Sequence, residues 1–103
     1  MDRKAQIETL LNDNPNDIFL QYALAMELMS ENNHFKAIEV LSTLNAQEPE
    51  YLPVYYQLAK LYETVGENDK AIVTYEAGII IAQKSNDRKT LGELKSALEE
   101  LIF

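Results

Sequence analysis

Residues 55–75 read YYQLAKLYETVGENDKAIVTY, and residues 21–41 read QYALAMELMSENNHFKAIEVL. Aligned, the two stretches keep an offset of 34, the separation of Leu24 from Leu58. Leu24-Ala25 then falls on Leu58-Ala59, and Lys36-Ala37-Ile38 on Lys70-Ala71-Ile72. Leu28 pairs with Tyr62, Asn32 with Gly66, Leu41 with Tyr75, and outside the stretch Pro15 with Pro49. Within and around the copies, apolar residues recur at helical spacing: Leu20, Leu24 and Leu28, then Ile38, Leu41 and Leu44. Leu91, Leu94, Leu98 and Leu101 continue the pattern near the end of the chain. No run shows the strict alternation of a half-buried strand. Turn-forming residues separate the helical stretches, at Asn12–Pro15, Glu31–Asn33, Glu48–Glu50, Gly66–Asp69 and Ser85–Asp87. Cutting there predicts about six helices of roughly 11 to 17 residues. The fold class is all-α.

At 103 residues the chain has room for one domain, and at 47% hydrophobic and 25% charged it can build a core. It has no Cys, which excludes disulfides, thiolate metal sites and a cysteine nucleophile. Nine Lys or Arg against 17 Asp or Glu give a net charge of −8. Nucleic acid and anionic membrane surfaces are therefore poor partners. Met1-Asp2-Arg3-Lys4 opens no signal peptide, so the chain is expected to be cytoplasmic. The longest apolar run, Ala77 to Ala82, is far too short to span a bilayer.

A 34-residue period made of two helices and a tight turn resembles the tetratricopeptide repeat (TPR). The second copy is similar to that family's W-x2-L-G-x2-Y…A-x3-F…P pattern through Tyr55, Leu58, Ala59, Tyr62, Ala71 and Tyr75, with Gly66 at the turn. Gln83 replaces the closing Pro, so this helix is expected to run on further than usual. The first copy keeps Leu24, Ala25, Leu28, Asn32, Ala37, Leu41 and Pro49 but has lost its aromatics. Small residues at Ala25, Ala37, Ala59 and Ala71 would let antiparallel helices approach closely, with the larger residues filling the space between. Asn32 and Gly66 are residue types that tolerate a left-handed helix terminus. In this register Ile7, Leu10, Leu11 and Pro15 match Leu41, Leu44, Asn45 and Pro49, so the chain begins with half a repeat. Residues 88–102 carry one apolar stripe and a polar face of Lys89, Glu93, Lys95, Glu99 and Glu100, as a cap would. The expected architecture is one stack of antiparallel helix hairpins: half-repeat 1–15, repeats 18–51 and 52–85, and cap 87–103.

Catalytic chemistry finds no support in the residues. His34 is the only histidine, and it is expected to be an exposed loop residue with no nucleophile or orienting partner. The serines lack a nucleophile-elbow context, the three glycines are too dispersed to cradle phosphate, and no metal-ligand spacing occurs. Neither an enzyme nor a metal or cofactor site is expected.

From Ile18 to Met29 only Gln21 and Glu27 are polar, so this helix should be buried on nearly every side. Leu20, Leu24 and Leu28 account for one face, which leaves Phe19, Tyr22, Met26 and Met29 directed elsewhere. The TPR resemblance implies that first helices of successive repeats line a concave groove for a protein segment. By position, the first repeat would offer Phe19, Tyr22, Met26 and Met29, and the second Tyr56, Lys60 and Glu63. The alternative is that the terminal helices cover these residues. Some TPR proteins hold chaperone C-terminal carboxylates with a Lys and an Asn on the first helix. Tyr22, Met26 and Tyr56 stand in those places here, which leaves Lys60 alone and makes acid-terminated tails poor candidates. The implied partner is a protein segment, apolar with some basic character in view of the net charge. A second reading is a homodimer formed through Phe19, Tyr22, Met26 and Met29, or through Ile102 and Phe103.

Overall fold

The computed structural model describes residues 2–103, and among them every regular element is an α-helix. The helices are α1 (Arg3–Asp13), α2 (Ile18–Ser30), α3 (His34–Gln47), α4 (Pro53–Thr64), α5 (Asn68–Lys84) and α6 (Arg88–Ile102). Their starts follow from local chemistry. Asp2, Asp17 and Asp87 each place a side-chain oxygen on a backbone N–H three residues on, at 2.7, 3.0 and 3.0 Å. Pro53 opens α4, where its missing N–H costs no helical bond. Three helices stop in the same way. Asn32, Gly66 and Asn86 take positive φ values of 61°, 82° and 59°. Behind each, the next N–H reaches back to a carbonyl: Asn33 to Leu28 at 2.9 Å, Glu67 to Tyr62 at 2.8 Å and Asp87 to Ala82 at 3.0 Å. The tight turn of each repeat thus recurs a third time before α6. With Gln83 in place of the proline, α5 has 17 residues where α3 has 14.

The packing divides into two units that meet between Pro49 and Glu50. In the first, α2 packs on both α1 and α3. Its core includes Ile7, Ala25, Leu28, Ala37, Leu41 and Leu44. Ala25 and Ala37 are wholly buried, as close helix approach requires. Arg3 and Glu27 pair at 2.8 Å, and Lys4 and Glu31 at 3.0 Å, adding ion pairs between the start of α1 and the end of α2. In the second unit, α5 packs on both α4 and α6. Tyr55, Ala59, Ala71, Tyr75, Ala82, Leu94 and Ala97 form its buried cluster, with Leu91, Leu98 and Leu101 of α6 packed against it. Gly78 is a point of close approach between helices. A Cβ there would lie 2.7 Å from Tyr55 Cβ and 3.1 Å from Leu94 Cδ1.

His34 departs from expectation. It is the first residue of α3, half-buried, and its Nδ1 is buried without a hydrogen-bond partner. The helix begins one residue after Asn33, which takes His34 out of the loop.

Candidate functional site

In the first unit, α2 carries Phe19, Tyr22, Met26 and Met29 along one stripe. Phe19 is 70% exposed, and the other three are half-buried. Glu27 and Glu31, which hold α1, lie five and nine residues from Tyr22, roughly 140° and 180° around a helix. α1 is therefore held on the side of α2 away from the stripe. The buried Gln21, Ala25 and Leu28 occupy a third side of α2, and Gln21 Nε2 donates to the Pro15 carbonyl at 2.7 Å.

In the second unit, Tyr56, Lys60 and Glu63 share one face of α4, all half-buried. They are joined to the core through Tyr75 of α5. The Tyr75 hydroxyl donates a hydrogen bond to Glu63 Oε2. Lys60 Nζ lies 3.8 Å from that same oxygen and 5.6 Å from the centre of the Tyr56 ring. The Tyr56 ring meets Tyr75 edge-on, with centroids 6.5 Å apart and planes at 68°. Burial, and then the Glu63 carboxylate, push the Tyr75 hydroxyl far above its ordinary pKa, so it remains a donor. Glu63 is thus engaged inward by a buried tyrosine rather than offered whole to a ligand.

Tyr56 and Lys60 also line an open cleft of about 580 Å³ whose other wall is α6. Arg88 and Lys89 stand on that wall in the first helical turn, Gly92 follows one turn on, and Glu93 and Glu100 lie beyond. The sequence placed Lys89 and Glu93 on a solvated cap face and did not single out Arg88 or Gly92. Two signals were available: cations at the start of a helix, where the dipole favours acids, and a glycine in a helix interior. Among the described residues, no group of three or more His, Cys, Asp or Glu side chains is placed to hold a metal ion.

A family model described as tetratricopeptide repeat matches residues 28–94. The chain belongs to the tetratricopeptide repeat family. A TPR domain protein from Salinibacter ruber, solved by crystallography, is 38% identical, with a TM-score of 0.79 over 82% of this chain and 94% of that one. A protein from Bordetella parapertussis, solved in solution, superposes with a TM-score of 0.86 over 98% of this chain and 88% of its own. At 21% identity it bears on the fold alone. Among curated proteins, anaphase-promoting complex subunit 3 of Dictyostelium discoideum is 29% identical over 73 residues. That match spans 71% of this chain but 8% of the relative. TPR domains are protein–protein interaction modules, and in that general sense so is this chain. No helix among the described residues is long and apolar enough to cross a membrane.

Proposed function

We propose that the chain is a non-enzymatic, cytoplasmic adaptor that seats a protein segment on the faces of its repeats' first helices. The repeat boundaries proposed with this reading are those from the sequence: 1–15, 18–51, 52–85 and 87–103. In the first unit the face is Phe19, Tyr22, Met26 and Met29, and in the second Tyr56, Lys60 and Glu63. The observation that carries the reading is the second unit's open cleft, which contains Tyr56 and Lys60 in its wall. An amphipathic ring beside a cation suits a peptide, since the ring supplies area at low entropic cost. The first unit supports an apolar segment with basic character. Its stripe is aromatic and methionine-rich, and residues 1–49 hold three Lys or Arg against eight Asp or Glu.

The test is a comparison of stability with affinity in one variant. Peptides selected from a displayed random library on the whole chain serve as probes. Tyr56→Ala should weaken their binding by about 2 kcal/mol, near thirtyfold. If it instead unfolds the protein while affinity per folded molecule is unchanged, Tyr56 serves the core and the reading fails. The exposure of Phe19, Ile102 and Phe103 favours a second reading, in which these residues meet another copy of the chain. Light scattering over a range of concentrations separates the two. A monomer supports the adaptor, and a stable dimer that loses its pairing on Phe19→Ser or on Phe103→Ser supports assembly.

A further inference from the structure

Two features of α6 cost the fold stability without serving its packing. Arg88 and Lys89 occupy the first turn, facing the positive end of the helix dipole, and among the described residues neither forms an ion pair. Gly92 lies inside the helix, where alanine would be favoured, and a Cβ added there would meet no atom within 4 Å. Its φ is not positive, so no backbone strain calls for glycine. Both features open onto the same cleft as Lys60 and Tyr56. Three of the chain's nine cations thus line one cleft in a molecule of net charge −8.

We propose that this cleft seats an acidic segment of a partner protein. Its carboxylates lie at the Arg88, Lys89 and Lys60 end, and its chain passes over the bare backbone at Gly92. The proposal rests on the reading that α4 presents a protein-binding face, and it gives that face its chemistry. The local sign runs against the whole-chain charge, which by itself favours a basic partner. Cations set together along one concave wall attract carboxylates more strongly than isolated surface cations do. Glu93 and Glu100, farther along α6, supply the opposite sign and so fix the direction in which an acidic end enters. The missing side chain at Gly92 leaves room for close approach of a backbone.

Display selection on the intact chain, followed by anisotropy titration of the enriched peptides after synthesis, tests it. The expected result is enrichment of Asp- and Glu-rich sequences whose binding weakens as salt rises. Arg88→Glu with Lys89→Glu should weaken them about tenfold or more. Gly92→Leu should abolish binding while the thermal midpoint stays level or rises, a pattern that loss of fold cannot produce. Enriched peptides that are basic or neutral, lose affinity in Tyr56→Ala and ignore the Arg88 and Lys89 reversals would overturn the acidic assignment and leave the protein-binding face standing. Acidic peptides that bind the reversed variants unchanged would also overturn it. Binding indifferent to both Tyr56→Ala and Gly92→Leu, or no binding at all, removes the face and the acidic assignment together.

Discussion

Two helical glycines in the second unit differ only in what surrounds them, and that difference sets opposite expectations. Replacing either with alanine gains about 0.8–1.0 kcal/mol of helix propensity. At Gly92 nothing opposes the gain, because a Cβ would stand in open space. Gly92→Ala should therefore raise stability by up to about 1 kcal/mol in urea denaturation. At Gly78 the new Cβ would sit 2.7 Å from Tyr55 Cβ, the stiff base of a buried side chain. Overpacking costs about 1–3 kcal/mol, so Gly78→Ala should be a net loss despite the better propensity. Tyr75 supplies a pH signature. Its proton is retained in the folded chain well above the ordinary value of 10.0, first by burial and then by Glu63. Below that value both folded and unfolded chains keep the proton, and the contribution is whole. Above it the unfolded chain releases the proton and the folded chain does not, so stability falls as pH rises. Urea midpoints taken between about pH 8 and 11 should drop, and Tyr75→Phe should drop less steeply. That variant should also begin about 1.5–3 kcal/mol lower, for its lost hydrogen bond to a carboxylate.

Among the elements, the hairpins test the register. Ala37 and Ala71 are equivalent by the 34-residue offset, and both are wholly buried. A leucine at either should force apart a pair of helices at a cost of about 1–3 kcal/mol, read as a lower thermal midpoint. Unchanged stability in both variants would mean that the register is wrong. The helices were legible because their signals are local: apolar residues at helical spacing, with turn-forming residues such as Asn32 and Gly66 after them. The run of small residues was legible too, since it repeats at a fixed offset. The third tight turn, at Asn86, was legible as a turn, but not as a copy of the other two, because no 34-residue partner marks it. His34 was misplaced by a single position, the usual uncertainty of a helix start. The Tyr75–Glu63 bond could not be read at all. Its partners lie twelve residues apart on different helices, and nothing in either residue's neighbourhood names the other.

For the whole molecule, the proposed faces on α2 and α4 could be drawn from the sequence, and the α6 wall of the cleft could not. Tyr22 and Tyr56 were singled out as candidates because the repeat transfers a position from one copy to the next. Arg88 and Gly92 have no such copy, and a charged amphipathic helix reads as a solvated surface until a cleft appears beside it. The same helix carries the last prediction. Leu94 is wholly buried and Ala97 nearly so, while Leu91, Leu98 and Leu101 pack on the cluster formed with Tyr55, Tyr75 and Ala82. Burying a leucine fully is worth about 1.5–3 kcal/mol, so α6 supplies several kcal/mol, a large share of the 5–15 kcal/mol typical of a domain. Deleting Arg88 to Phe103 would also uncover the α5 surface around Gly78 and Ala82 and leave the turn at Asn86 without a helix to start. The shortened chain should aggregate or lose its cooperative thermal transition, as repeat arrays do without their end helices. The variant Leu94→Ala isolates the packing contribution, at about 2–5 kcal/mol, without removing the Arg88 and Lys89 wall. A deletion that stays monomeric and melts cooperatively, together with a near-neutral Leu94→Ala, would show that α6 is a separable arm rather than part of the second unit's core.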